Sequence, residues 1–294
     1  MRPTALIPVL CCAAALVLGF LCIFAGQKKD FMEDYHIITL NTSRIGYSII
    51  NSTTSDSSNP ISTWFNSLGD NIKSDINQVA GDIAQQLGLD DFYSVHMLDY
   101  CYGDYTPGPL PNATVSAKDI HKNVTACSNR TAAFHFDPTT ILQQRLDESG
   151  VGITLADLNW PADIQKGLDA LHIIQTTYFV LYCIAVGFIF LTLVCSALAL
   201  FTTGRLSACL NVMLSSLAFL AIALASALVT AVIVKGVNLV NKYGAEIGVS
   251  AQKGNEFLAL TWAASGVMLV ALLWWCFETC VGHRRRERSY AGKA

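Results

Sequence analysis

The stretch that decides the fold is residues 206–234, LSACLNVMLSSLAFLAIALASALVTAVIV, which contains no charged residue. About 20 apolar residues are enough to cross a bilayer core as a helix. Three further apolar runs, at residues 4–25, 173–201 and 257–281, also meet that length. Only 14% of the chain is charged, against about 25% in soluble domains. The sequence therefore predicts four transmembrane helices.

The first run has a second interpretation, a secretory signal peptide. Arg2 precedes the apolar core, and Phe24-Ala25-Gly26 resembles a cleavage site. The run is long for the apolar region of such a peptide, which favours a helix that stays in the membrane. With either interpretation, the segment that follows is exported.

Five N-glycosylation sequons all fall between the first and second apolar runs. An acceptor Asn is modified only on the lumenal side of the membrane, so residues 26–172 are predicted to be an extracellular, glycosylated domain. The five acceptors are Asn41, Asn51, Asn112, Asn123 and Asn129.

Basic residues support the same orientation. Arg2, Arg205 and the sequence HRRRER at 283–288 fall opposite the sequons in a four-span model, although Lys28 and Lys29 do not. We expect both termini to be cytosolic: residues 1–25 form the N-terminus and first helix, and residues 282–294 form a basic tail. Residues 235–256 are then a short second extracellular loop.

The ten cysteines divide by compartment. Only Cys101 and Cys127 lie in the exported segment, where two cysteines allow a single intrachain pairing. The sequence predicts a Cys101–Cys127 disulfide, and a free or intermolecular thiol is the alternative. Cys276 and Cys280 lie one helical turn apart near the predicted cytosolic boundary, which makes them candidates for reversible acylation. Inert apolar thiols are the alternative there.

The exported segment predicts an α+β domain. Apolar residues recur at helical spacing over 65–87, with Gly88 as the end, and helices are also predicted at 139–149 and from Pro161 towards the second span. Stretches typical of strands are residues 35–40, 92–102 and 132–136. The fold class is therefore mainly α: a four-helix transmembrane bundle with a large extracellular α+β loop domain that carries one disulfide.

The sequence contains no pattern typical of an enzyme. Neither a metal-binding His-Glu-x-x-His nor a Gly-x-Ser-x-Gly turn nor a phosphate-binding glycine loop is present. We expect no cofactor, metal, nucleic acid or small-molecule substrate. Several histidines are scattered in the exported segment, and these four are predicted to lie on its surface: His36, His96, His121 and His135.

Small residues recur every four positions in the last two spans, a spacing that lets helices approach closely. Packing within the bundle is the favoured interpretation, and a dedicated oligomerisation face is the alternative. The residues are Ala223, Ala227, Ala231, Ala259 and Ala263.

Several stretches are similar to one family. They are residues 91–96 (DFYSVH), 100–103 (YCYG), 123–128 (NVTACS), 157–161 (DLNWP) and 204–212 (GRLSACLNV). With the four-span pattern, they resemble the fungal claudin-like tetraspans, the Sur and PalI proteins of the plasma membrane. No Trp precedes Cys101 as in animal claudins, so the resemblance does not imply a tight-junction pore.

The resemblance implies a non-catalytic plasma-membrane protein that organises cortical microdomains of the eisosome type. Its expected partners are membrane lipids, further copies of itself and other cortical membrane proteins. A sensor or accessory subunit in ambient-pH or stress signalling is the second hypothesis. A channel or adhesion module is the third, and the lack of a polar lining in the spans argues against a pore.

Overall fold

The structure is a computed structural model that describes residues 3–29, 31–45, 84–85, 87–106, 120–201 and 205–291. The chain divides into two compact units. The helical unit comprises Met1–Phe24, Thr176–Thr230 and Glu256–Ala294, and the sheet unit comprises Ala25–Gln175 and Ala231–Asn255. The division falls within two long helices.

Five α-helices are described: α1 Leu6–Phe24, α2 Pro138–Ser149, α3 Ala162–Ala199, α4 Arg205–Gly244 and α5 Asn255–Ala291. Short 3₁₀ turns lie at Pro3–Ala5 and Ala245–Ile247. All of these α-helices except α2 are long and apolar enough to cross a membrane, which confirms the four predicted spans. Helix α3 begins directly after Pro161 and continues into the second span without a break, as predicted.

Helix α4 differs from its predicted bounds. It continues to Gly244, ten residues beyond the apolar run 206–234 and well into the predicted loop 235–256. The extension is helical because Val237 and Val240 keep one apolar face, and both are buried in the core of the sheet unit. The predicted loop is therefore mostly ordered structure.

Hydroxyl groups join the helices within the helical unit. The Tyr182 hydroxyl on α3 is hydrogen-bonded to the Thr261 hydroxyl on α5. Ser226 Oγ on α4 lies 2.7 Å from Thr261 Oγ1 and 2.9 Å from Ser265 Oγ. Bonds of this kind satisfy polar groups that lipid cannot solvate.

The predicted packing face of small residues is wrong. Ala227, Ala231, Ala259 and Ala263 are exposed, and Ala223 is half-buried. The buried side of α4 instead carries residues such as Ala218, Ile222 and Ala225. The four-residue spacing predicted that one face of the helix would carry small residues, but it did not predict which face would point inward.

The sheet unit is built on a five-stranded antiparallel sheet in the order β4-β3-β2-β1-β5. Its strands are β1 Ile38–Asn41, β2 Phe92–Val95, β3 Tyr100–Thr106, β4 His121–Cys127 and β5 Ser250–Lys253. Strand β5 comes from the segment between α4 and α5 and pairs with β1, with Ala251 opposite Leu40. Segments about 200 residues apart in the sequence thus share one sheet.

One face of this sheet, the core face, is apolar. Leu40, Tyr93 and Ala251 lie on it and pack against α2, the segment after α2 and the extension of α4. Helix α2 begins at a regular N-cap, where the Asp137 carboxylate accepts hydrogen bonds from the backbone N–H groups of Thr139 and Thr140. Its predicted position is confirmed.

Two other predictions in this unit have different outcomes. Residues 132–136, predicted as a strand, are irregular, and the last described strand before α2 is β4 at His121–Cys127. Most of the helix predicted at 65–87 lies outside the described residues. Its predicted end is confirmed: Gly88 has φ 73°, and the N–H of Leu89 donates to the Ala84 carbonyl at 2.9 Å.

Candidate functional site: the second face of the sheet

The second face is the side of the sheet opposite the core face, and it carries the disulfide. Cys101 on β3 and Cys127 on β4 are directly opposite in the strand register. Their sulfur atoms are bonded at 2.02 Å, so the pairing predicted from the sequence is present. Cys101 is buried, and its sulfur lies 3.4 Å from the Gly26 carbonyl oxygen. A disulfide sulfur carries no proton, so this is a packing contact.

Gly26 also packs against a buried histidine. The residue has φ 76°, a left-handed conformation that favours glycine. A Cβ placed on it would lie 2.0 Å from Nδ1 of His96, so the imidazole lies directly against the glycine backbone. His96 itself is only 2% exposed.

Polar side chains form a cluster on this face. Lys122 Nζ on β4 donates a hydrogen bond to Thr39 Oγ1 at 3.1 Å and lies 5.3 Å from the centre of the Phe92 ring. Thr39 Oγ1 lies 3.4 Å from Ser94 Oγ. At the start of the sheet unit, His36 Nδ1 donates to the Glu33 carbonyl at 3.2 Å.

Burial shifts the pKa values of the charged members of the cluster. It lowers the pKa of His96 to about 3 and that of His36 to about 4, and the positive charge of Lys122 adds to both effects. Burial also lowers the pKa of Lys122 and raises that of Glu33. Both histidines are therefore neutral at physiological pH.

Several buried polar atoms in this part of the unit lack a hydrogen-bond partner among the described residues. They are Glu33 Oε1, both ring nitrogens of His96 and both carboxylate oxygens of Asp99. Burial raises the pKa of Asp99 to about 6, with Arg130 opposing the shift. Asp99 therefore changes charge at a mildly acidic pH, and the sequence did not indicate that these three groups are buried.

The predicted position of the histidines is half wrong. His121 and His135 are exposed, but His96 is buried and His36 is half-buried. Nothing in the local sequence indicates that His96 is buried. Gly26 and the segment around His36, which lie next to its ring, are distant from it in the sequence. Among the described residues, no group of three or more His, Cys, Asp or Glu side chains is arranged to hold a metal ion.

Another ionic contact lies on the core side of the sheet. Arg145 on α2 places its guanidinium 4.1 Å from the centre of the Tyr102 ring and 3.7 Å from the Asp90 carboxylate. Burial raises the pKa of Asp90 to about 6, and Arg145 opposes that shift. The contact links α2 to Tyr102 within β3 and to Asp90 just before β2.

Three of the five sequons lie in the described part of the chain. Asn123 on β4 and Asn129 just after it are exposed. Asn41, at the end of β1, is half-buried, and its Oδ1 accepts hydrogen bonds from Ser43 Oγ at 2.7 Å and Ser43 N at 3.1 Å. Asn51 and Asn112 lie outside the described residues. Occupancy of all five stays a prediction.

The two candidate acylation sites lie on α5. Cys276 is half-buried and Cys280 is exposed, and both thiols are free. Their acylation also stays a prediction.

Comparisons with known proteins identify the family of the chain. A model described as the SUR7/PalI family matches residues 4–274. The SUR7 family protein pun1 of Schizosaccharomyces pombe (strain 972 / ATCC 24843) is 27% identical over 204 residues, which are 64% of this chain and 62% of that protein. The chain thus spans less than two thirds of the relative's length. No solved structure matches the chain significantly.

The resemblance noted in the sequence is thereby confirmed over nearly the whole chain. The matched region includes α1, α3 and α4, most of the apolar part of α5, the cysteine pair and the five described strands. This multi-pass membrane protein belongs to the SUR7/PalI family.

Proposed function

We propose that the chain is a non-catalytic plasma-membrane protein that organises cortical microdomains of the eisosome type and so supports cell-wall and endocytic organisation. The observation that carries the proposal is the composition of the spans. Residues 4–25, 173–201 and 206–234 contain no Asp, Glu, Lys, Arg or His, and residues 257–281 contain only Glu278, close to the predicted cytosolic end. Ionisable side chains inside a membrane mark ion, proton or substrate pathways. Spans without them suit a protein that acts through lateral contacts.

In this role the partners are membrane lipids, further copies of the chain and other cortical membrane proteins. The exposed alanines of α4 and α5 support lateral self-association, because small exposed residues allow close approach of another helix. The role requires no cofactor, nucleic acid or small-molecule substrate.

The proposed orientation places the sheet unit outside the cell and both termini in the cytosol. Two features support it: the exposed sequons of the sheet unit, and the basic sequence at 283–288. The disulfide also suits an oxidising compartment.

Live-cell imaging of a fluorescent fusion tests the proposal. We expect immobile patches at the cell periphery, with slow recovery after photobleaching. The double variant Ala227→Leu with Ala263→Leu should disperse the patches, because larger side chains prevent close approach of helices. Its matched control, Leu220→Ile with Leu269→Ile, changes exposed positions on the same helices without adding volume. A diffuse or internal-membrane signal from the unmodified chain would contradict the proposal.

A second candidate function is an accessory subunit in ambient-pH or stress signalling. The observation that favours it is the buried carboxyl group of Asp99, whose pKa burial raises to about 6, so that its charge changes between acidic and neutral pH. A deletion strain with normal wall-stress tolerance but failed alkaline growth supports this role. Asp99→Asn, which removes that titrating carboxyl group, should then reproduce the growth defect, whereas His121→Gln, at an exposed position, should not. Wall-stress sensitivity with normal alkaline growth argues for the structural role instead.

A further inference from the structure

The two edges of the sheet are protected in different ways. An edge strand presents unpaired N–H and C=O groups on which another chain can add a strand. Strands β5 and β4 are the two edges of the sheet that the described residues form. What covers each of them decides whether copies of the chain can pair through their sheets.

The β5 edge is closed by a side chain of the same unit. Asn241 on α4 accepts a hydrogen bond from Ala251 N at 2.7 Å and donates one from Nδ2 to Ala251 O at 3.0 Å. The amide takes the place of a neighbouring strand. Since β5 is also only four residues long, it offers little to a second chain.

The β4 edge is longer, and among the described residues no strand or side chain bonds to its outer backbone groups. It spans His121–Cys127 and contains neither proline nor an acidic residue. Its charged side chain, Lys122, is turned inward onto Thr39 and Phe92. A lysine that points outward from an edge strand deters pairing by its charge. Lys122 points inward and therefore does not protect the β4 edge in this way.

A bulge gives the edge partial protection. The register shifts between Tyr102 and Gly103, so that Thr125 is the extra residue on β4. The approach at the bulge is close, since a Cβ on Gly103 would lie 2.0 Å from the Asn123 carbonyl oxygen. Bulges twist an edge away from a partner, but β-branched Val124 and Thr125 remain at its centre.

We propose that an N-glycan on Asn123 covers the β4 edge, which no described strand pairs on its outer side, and prevents a second copy of the chain from pairing with it. Asn123 is the one acceptor within the described part of β4, near its middle, and it is exposed. A glycan is bulky and strongly hydrated, so an incoming strand would have to displace it. The excluded partner is an identical β4, which would pair antiparallel about a two-fold axis near Val124. The inference rests on the extracellular orientation proposed above.

Thr125 allows a test in which one position controls both the glycan and the charge of the edge. Thr125 completes the sequon, so Thr125→Ser keeps the glycan whereas Thr125→Val and Thr125→Lys both remove it. We expect Thr125→Val to form several-fold more dimer than the unmodified chain. Thr125→Lys should stay at the unmodified level, because its charge replaces the glycan as protection. Asn129→Gln removes a glycan outside the strand and should change nothing.

The measurements are the glycosidase mobility shift of each variant and the dimer fraction, determined by cross-linking and native mass spectrometry in detergent. Asn123→Gln provides a second route to the same unglycosylated edge if Thr125→Val fails to fold. Equal dimer fractions for Asn123→Gln, Thr125→Val and Thr125→Lys overturn the inference. So does an unoccupied Asn123 in a chain whose Asn129 is glycosylated. If no sequon is occupied, the proposed orientation fails together with the inference.

Discussion

At the scale of single residues, Gly26 carries a constraint that only the fold imposes. Its left-handed backbone and its contact with the His96 ring leave no space for a side chain. We predict that Gly26→Ala lowers the free energy of unfolding of the sheet unit by at least about 2 kcal/mol, from backbone strain plus the clash. Thermal unfolding in detergent, monitored by the protease resistance of the sheet unit, measures this loss of stability.

Gly150→Ala is the matched control for that change. Gly150 also has a positive φ, 69°, but nothing lies within 4 Å of a Cβ placed there. Its substitution should cost only the backbone strain, about 1–2 kcal/mol. Equal losses for the two variants would show that the His96 contact is unimportant.

His96, which is buried, and His36, which is half-buried, give the sheet unit an acid-sensitive stability. The folded pKa values of His36 and His96, about 4 and about 3, lie below the ordinary 6.5. The fold therefore favours their neutral forms, and this stability is complete above pH 6.5 and is lost as the pH falls towards 4. We predict that His96→Gln reduces the acid-induced fall in melting temperature between pH 6.5 and 4. His121→Gln should leave the profile unchanged, and a parallel profile for His96→Gln contradicts the prediction.

Asp99 has the opposite effect on the pH dependence of stability, over an overlapping pH range. Its pKa is raised from 3.8 to about 6, so charging it in the fold costs stability as the pH rises from about 4 to 6. Asp99→Asn should therefore raise the melting temperature at pH 7 and have little effect at pH 3.5. Equal effects at both pH values would argue against a buried, charge-destabilised carboxylate.

At the scale of elements, the extension of α4 places a side chain that completes the sheet. Asn241 holds both outward backbone groups of Ala251 on β5. We predict that Asn241→Ala destabilises the sheet unit by about 1–3 kcal/mol, because it removes two half-buried hydrogen bonds that are worth about 0.5–1.5 kcal/mol each. Hydrogen exchange at Ala251 should increase in the same variant.

Asn238→Ala tests the specificity of that effect. Asn238 lies three residues earlier on α4 and is exposed. The substitution should leave both stability and exchange within about 0.5 kcal/mol of the unmodified chain. A comparable loss there would attribute the effect to helix propensity and not to the bond with β5.

At the scale of the whole molecule, we predict that the disulfide stabilises the sheet unit and does not affect the stability of the helical unit. The bond closes a loop between residues 26 positions apart, which contributes about 3 kcal/mol on the chain-entropy model. The double variant Cys101→Ser with Cys127→Ser should lower the melting temperature of the sheet unit and reduce delivery to the cell surface. The helical unit should keep its detergent-resistant helix content, measured by circular dichroism.

Cys183→Ser is the control, because it removes an exposed thiol on α3 that takes no part in a disulfide. It should leave both readouts unchanged. A double variant as stable as this control would mean that the disulfide contributes nothing to the fold.

The sequence by itself determined the four spans, the cysteine pair, the helix α2 and the positions of the sequons. Each is set by local composition or by residue counting: about 20 apolar residues form a span, and two exported cysteines allow one pair. Helix ends marked by Pro161 and Gly88 were predicted for the same reason, since their preferences are properties of single residues.

Only the tertiary structure decided that β5 joins β1, that His96 is buried against Gly26, and that the alanine face of α4 points outward. These features depend on contacts between residues that are distant in the chain. A local sequence pattern does not specify which distant residues pair or pack together. Strand β5 has four residues and an exposed, polar pattern, so nothing in its sequence indicates a partner about 200 residues away. Its pairing is fixed by burial of Ala251 beside Leu40 and by the amide of Asn241, and both require the folded chain.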